Sequence, residues 1–526
     1  MIGVSEAWKV AQTGTIVPES YVEITYKVTE PGAQEEAVAT TNGAIYYSDY
    51  AGVVDSSEGD SPLYATLEHN MWLLDGEFTV LPDSGPYGDT GFVADTIGLT
   101  NTPAVTISMR SVHDQAIPGV TLTWSSVYKE YATRFRVTAK SGSRVVATDV
   151  FNNNAIGCTV ELPIANYDSV VVEVLEWSLP NRRARLENVF LGATQKFSQK
   201  DLIKYTHSQT ADALSAELPK NSITFSLDNS SGVWNPENPE GNVQYLTERQ
   251  ELTVRYGYKL ADGVEWINAG TFWISEWNTP SNGLEVSFTA RDAIEFMDDT
   301  YSGPRSGTLY DICTTALQQA DIPAAMDGTK RYYVSDSLKG TTVDFTDDKT
   351  NYPISSVLQM CANAGRCTLR QDRNGVFRIE PMTGYYTGYA ITKFVSYSHP
   401  EYSMAKPLRA VNVNDGLGGV EIASSGETVF IDNTFIQTED TAKKVAEWAA
   451  QSLRYRKALK GEFRADPRLD ALDVIAVESK YGANNAIVVT SVEYTYAGAF
   501  KGSYTGREVA FDPVKWFSGE VISGEV

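Results

Sequence analysis

Across residues 222–297 apolar and polar side chains alternate through several short runs, and that alternation constrains the fold more than any other feature of the chain. In Ser222-Ile-Thr-Phe-Ser-Leu-Asp228, Ile223, Phe225 and Leu227 share one face and the hydroxyl residues the other, the period of two of a half-buried strand. Residues 229–241 then hold Pro236, Pro239 and two glycines. Proline fixes φ and carries no N–H, so the chain must leave the sheet there, with Trp234 as the one anchor of the loop. Alternation resumes at Leu252, Val254, Tyr256 and Tyr258, Asp262-Gly263 supplies a turn, and Phe272/Ile274 and Leu284/Val286/Phe288 mark further strands. Short strands joined by tight turns predict a small barrel or sandwich.

At 526 residues the chain exceeds what one core fills and predicts roughly three to five units of about 100 to 200 residues each. A hydrophobic fraction of 42%, with 10 Trp, 29 Tyr and 19 Phe, argues against disorder. The formal charge of -24, from 43 basic against 67 acidic side chains, repels phosphate backbones and disfavours nucleic-acid binding; it suits the solubility of a large assembly component. Of the four cysteines, Cys158, Cys313, Cys361 and Cys367, Cys313 and Cys361 fall on apolar helix faces and read as small core residues. The four histidines, His69, His113, His207 and His399, lie in different units without metal-ligand spacing. Neither a GxSxG elbow nor a phosphate-binding glycine loop occurs, and the neighbouring carboxylates Asp298/Asp299 and Asp347/Asp348 read as solvated turns. No catalytic residue, metal ligand or cofactor is expected, and the chain is not expected to be an enzyme. No run approaches about 18 apolar residues, so no membrane-spanning helix is expected, and residues 1–8 lack the pattern of a secretory signal.

Five units follow from the pattern. Residues 1–90 are β-rich, with an exposed or edge strand at 21–27, and read as a docking region. Residues 91–195 carry strand signals at Phe135/Val137/Ala139 and Val170/Val172/Val174 and predict a jelly-roll-like sandwich. Residues 196–300 hold the opening stretch as a first barrel. In 301–395, Leu309, Ile312, Cys313, Ala316, Leu317 and Ala320 make one apolar helix stripe, capped by Ser306 or Thr308. A second helix begins near Pro353 and ends at Gly365, a natural C-terminal cap, and a hairpin with a type I′ turn at Asn374-Gly375 follows. Residues 396–526 hold a helix over 439–455, whose basic end at Arg454, Arg456, Lys457 and Lys460 suits its dipole, and then a second strand set. The predicted class is mainly β with a smaller α/β part: an N-terminal β-sandwich, then two small β-barrels flanking a helix-helix-hairpin unit.

That order, with Asn374-Gly-Val-Phe-Arg-Ile-Glu-Pro381 after an apolar helix and Pro467-x-Leu469-x-x-Leu472-Asp473-x-Ile475 leading into the second barrel, resembles the tail-hub (baseplate-hub, tail-tip) structural proteins of long-tailed bacteriophages over residues 196–510. The stretches 118–124 and 176–192 resemble galactose-binding-like sandwich domains of phage tail proteins. The resemblance implies a homo-oligomeric ring, with a homotrimer as one candidate, that closes or extends the tail tube. It implies the tail tube, distal tail, tape-measure and receptor-binding proteins as partners, DNA passing without being bound, and a virion location at the tail tip or baseplate after synthesis in the host cytoplasm. Within this reading the loop residues Trp234, Asn235, Pro236, Asn238 and Pro239 are the candidate subunit contact. A second reading is a carbohydrate-binding, less readily carbohydrate-degrading, protein of host cell-surface recognition. Trp124, Tyr128 and Tyr131 are its candidate contacts to a cell-wall saccharide, set against core or rim packing of the same rings. Arg182, Arg183 and Arg185 form the densest basic cluster and read as a solvated face or an inter-subunit contact.

Overall fold

Polar side chains at core-facing positions of one strand decide how the two halves of the sheet join. In Leu202–Thr210 the buried phase carries Tyr205, His207 and Gln209 after Leu202, so this strand needs hydrogen-bonding neighbours on its inner face. A computed structural model describes residues 2–14, 18–29, 31–41, 65–66, 104–125, 128–179, 184–238, 241–279, 283–324, 329–482, 484–509 and 521–523. In it Leu202–Thr210 pairs antiparallel with Lys220–Asp228 along one edge and with Asn484–Tyr496 along the other. One 14-stranded sheet results. From Leu202–Thr210 it runs one way through Lys220–Asp228, Glu285–Arg291, Gly263–Asn278, Glu251–Leu260 and Ser20–Thr29 to Gly192–Phe197. The other way it passes into Asn484–Tyr496, which carries Phe500–Glu508, Lys457–Phe463 and Glu401–Met404 on one branch and Val474–Glu478, Thr383–Ile391 and Val521–Ser523 on another.

A single core lies beneath both strand sets, with Tyr26, Phe225, Tyr256, Phe272 and Phe288 meeting Phe463, Val492, Tyr494 and Phe500. The mainly β class with a smaller α part is as the sequence predicts, but two separate barrels are not: among the described residues the strands form one open sheet. The physical reason is the polar inner row of Leu202–Thr210, whose partners come from both sets. The strand at 21–27 is likewise internal rather than an edge, since Ser20–Thr29 is flanked by Gly192–Phe197 and Glu251–Leu260.

The second core is α/β. Thr308 caps Leu309–Ala320 by accepting from Asp311 N at 3.1 Å, and Ile354–Ala364 starts directly after Pro353. Isolated helices shorter than about 12 to 15 residues are marginal in water, so packing rather than propensity holds these two. Leu309, Ile312, Cys313, Leu358 and Cys361 are buried together, each large apolar side chain contributing about 1.5 to 3 kcal/mol. Glu439–Leu453 joins the same core through Val445 and Ala449, and covers a small sheet of Leu408–Val413 between Gly418–Glu421 and Glu427–Ile431. Gly365 serves packing rather than a left-handed cap. Its φ is -85°, a Cβ there would lie 2.0 Å from Leu338 Cδ2, and the left-handed residue is Arg366 at φ 57°. The hairpin Thr368–Gln371/Phe377–Glu380 also departs from expectation. Only Gly375, not Asn374, has positive φ, and Gly375 N bonds Asp372 O, so a three-residue loop ending in a left-handed glycine replaces the type I′ turn.

The N-terminal unit places two sheets around a third core. Val38–Thr41, Ala104–His113, Tyr167–Trp177, Ala132–Ser141 and Arg144–Asn152 form one, and Ala65–Thr66, Arg185–Phe190, Ile117–Trp124 and Gly157–Ile164 the other. Val120, Leu122 and Trp124 from the second meet Phe135, Val137, Val172 and Trp177 from the first. Among the described residues no helix is long and apolar enough to cross a membrane.

Candidate functional site

The feature with the most concentrated chemistry is a buried polar seam where the hairpin, the first strand set and the lead into the second set converge. Its centre is Arg373, at the hairpin tip. Asp372 Oδ1 accepts from Asn374 N and Val376 N, which fixes the loop and aims the Arg373 side chain inward. Arg373 Nε donates to both Asp470 oxygens at 2.9 and 3.1 Å, Nη1 to Asn268 O at 2.9 Å, and Nη2 to Pro467 O at 2.7 Å and Leu469 O at 3.3 Å. The planar guanidinium thus ties three chain segments at once, with its side chain 8% exposed.

Around it the inner row of Leu202–Thr210 is satisfied group by group. His207 Nε2 lies 2.8 Å from Asn221 Oδ1 and Nδ1 lies 2.6 Å from the Tyr256 hydroxyl, which in turn meets Tyr205 Oη at 2.8 Å. Two neighbours meet His207 Nε2 from opposite roles: Asn221 Oδ1 can only accept, and Gln209 Nε2, at 3.3 Å, can only donate. Burial pushes His207 down to about 4, so the ring is neutral. Tyr494 Oη donates to Asp466 O and Leu469 O, and Asp466, itself 0% exposed, accepts from Arg468 at Nε and Nη2. A second clamp lies nearby. Glu251 accepts from Lys27 at 3.1 Å and Arg331 at 2.7 Å, linking Ser20–Thr29, Glu251–Leu260 and the α/β unit. Burial works to raise the Glu251 carboxyl, but the two cations outweigh it and hold it at about 2.

A cavity of about 70 Å³ opens between Gln209, Asn221, Asp292, Gln371, Arg373 and Asp470. Asp292 Oδ1 accepts from Ile294 N, whereas Oδ2 meets no donor among the described residues, and burial raises the carboxyl to about 7. Room for water exists; small-molecule pockets of about 300 to 1,000 Å³ are several times larger. Among the described residues no group of three or more His, Cys, Asp or Glu is arranged to hold a metal ion. What the seam does chemically is satisfy and immobilise charge, which fixes the α/β unit against both strand sets.

The sequence-derived candidates fall elsewhere. Trp234 is 3% exposed and packs on Phe197 and Phe288, and its backbone N–H donates to Asn229 Oδ1. The Asn235 and Asn238 side chains bond within the loop, to Glu237 N and Gly232 O, while Pro236 faces solvent and Pro239 lies outside the described residues. Trp124 is fully buried against Phe135 and Trp177, so its ring offers no face to a sugar. Tyr128 lies under the Arg185 guanidinium at 4.1 Å, and Tyr131 is half-buried with its backbone paired to Ser178. Arg185 is not part of a solvated face. It is 6% exposed beside Glu130, which also accepts from Trp177 Nε1; Arg182 and Arg183 lie outside the described residues. Sequence reasoning passed over Arg373, Asp470 and His207, although an Arg in a hairpin tip and a His in the buried phase of a strand were visible signals.

No protein-family model matches the chain, and no curated protein sequence matches it. Among solved structures it is similar to the 43 kDa tail protein of prophage MuSo2 from Shewanella oneidensis, at 12% identity and TM-score 0.43 over 60% of this chain and 94% of that one. It is also similar to a tail protein from Neisseria meningitidis MC58, at 10% identity and TM-score 0.44 over 60% and 94%. The prophage tail protein gp18 from Listeria monocytogenes EGD-e matches at 11% identity and TM-score 0.38, over 62% and 95%.

Proposed function

We propose that this chain is a structural component of a phage-type tail, a subunit of a hub ring at the tail tip or baseplate that closes or extends the tail tube. It anchors tape-measure, distal tail or receptor-binding proteins and performs no catalysis. The observation that supports this reading most directly is the Arg373 seam, which binds the hairpin, Asn268 in the first strand set and residues 467–470 ahead of the second set into one block. A ring segment has to carry load between neighbours without hinging, and a guanidinium whose Nε–H is shared by both Asp470 oxygens while its other N–H groups hold three carbonyls resists such hinging. The order of motifs along residues 196–510 supports the same reading. An acidic chain of net charge -24 also keeps passing DNA from adhering, because like charges repel.

Light scattering at micromolar concentration, together with electron microscopy of tails made with a tagged chain, tests the proposal. A closed oligomer and a tag at the tail tip are expected. A strictly monomeric chain that never enters tails overturns it.

A further inference from the structure

The large sheet has two very different ends. Gly192–Phe197 is covered by the neighbouring unit: Thr121 Oγ1 donates to Gly192 O at 3.0 Å and accepts from Thr194 N at 3.2 Å. Among the described residues Glu401–Met404, at another end, pairs only with Lys457–Phe463. Ala405 N donates inward to Arg456 O at 2.8 Å, and inward groups alternate in an antiparallel ladder, so the backbone groups of Tyr402 and Met404 face outward. Tyr402 is 47% and Met404 57% exposed, and Phe394 and Tyr397, on the segment running into this strand, are 81% and 56% exposed. Segments 392–407 and 454–464 hold seven Lys or Arg against two Glu, in a chain whose net charge is -24.

A second bare edge has the opposite charge. Among the described residues Glu427–Ile431 pairs only with Leu408–Val413, and Phe430 on it is 63% exposed. Residues 427–440 hold four Asp or Glu and no Lys or Arg, and Glu427 and Asp432 are exposed without an ion pair among the described residues. Proteins normally shorten, cover or charge such edges to keep them from pairing.

We propose that the two edges meet between copies of this chain: the basic, aromatic edge at Glu401–Met404 of one copy docks on the acidic edge at Glu427–Ile431 of the next. Charge decides both the occupant and the arrangement. Either edge placed against itself sets like charges together, whereas the head-to-tail pairing sets opposite charges together and is the kind of contact that closes a ring. The inference rests on the hub-ring reading and adds the surfaces that would build it.

Sedimentation over a concentration series at low salt tests it, using Lys406→Glu with Arg454→Glu for one edge and Glu427→Lys with Asp432→Lys for the other. Each pair should raise the concentration of half-assembly at least about tenfold, and one chain carrying all four should recover to within about threefold of the parent, because every contact then regains opposite charges. Tyr402→Pro removes an outward N–H, which an edge strand tolerates, and should block assembly with an unchanged circular dichroism spectrum. A parent chain that assembles while the charge pairs change nothing overturns the contact and leaves the hub reading standing. Failure of the four-fold variant to recover overturns the head-to-tail pairing. A parent chain that stays monomeric throughout overturns both.

Discussion

Asp292 and His207 both touch Asn221, through Asp292 N to Asn221 O and His207 Nε2 to Asn221 Oδ1, and burial moves them in opposite directions along the pH scale. The Asp292 carboxyl is raised from 3.8 to about 7, so between those values only the unfolded chain ionises and stability falls as pH rises. His207 is lowered from 6.5 to about 4, so between those values only the unfolded chain binds the proton and stability falls as pH drops. The two slopes oppose each other over their shared window. Asp292→Asn keeps the cap to Ile294 N and should expose the His207 slope, with a gain at pH 8 on the order of 1 to 4 kcal/mol in urea melts. His207→Gln should leave the falling Asp292 arm alone. At Arg373, truncation to Ala strands Asp470 and three carbonyls and should cost about 3 to 5 kcal/mol, and Lys should recover little, since it cannot reproduce the fork. These positions were hard to read from sequence because a buried Arg or His looks like a surface one until its partners, nearly a hundred residues away in the case of Arg373 and Asp470, are known.

At the scale of elements, the sequence was most informative where period alone decides structure. The stripes of Leu309–Ala320 and Ile354–Ala364 and the alternation of Lys220–Asp228 are as predicted, because burial of one face selects register locally. Turns and caps were less legible. Asn374-Gly375 permits a type I′ turn, yet the need to place Arg373 inside the loop selects a longer one, and Gly375 also sits where a Cβ would be 3.0 Å from Thr271 Cβ. The 229–241 loop changes role in the same way. Trp234 plugs the sheet core, so Trp234→Ala should cost about 3 to 5 kcal/mol in thermal or urea unfolding, while Pro236→Ser, on the solvent side, should leave stability within about 0.5 kcal/mol. A Gly365→Ala variant should lose stability through contact with Leu338 rather than through backbone strain, and Leu338→Ala in the same chain should recover part of the loss.

For the whole molecule, the three largest apolar cores among the described residues translate into a testable hierarchy. The sheet core and the α/β core are joined by the Arg373 seam and the Lys27–Glu251–Arg331 clamp, whereas the core holding Trp124 and Trp177 is a separate cluster that meets the sheet through Thr121, bonded to Gly192 O and Thr194 N. Calorimetry should show two transitions, one for the unit built from residues 31–41 and 104–191 and one for the remainder, and Arg373→Ala should lower only the second. The mainly β class was legible; the merging of two strand sets was not, because pairing between distant strands leaves no local pattern. Leu202–Thr210 shows what that merging entails during synthesis. Its second neighbour, Asn484–Tyr496, leaves the ribosome only after nearly the whole α/β unit has been made, so Tyr205, His207 and Gln209 wait with one flank unpaired while later segments fold. Loop closure over such a span is slow, and an unpaired flank invites mispairing. The nascent chain is therefore open to mispairing along that flank from the time Leu202–Thr210 is made until Asn484–Tyr496 arrives.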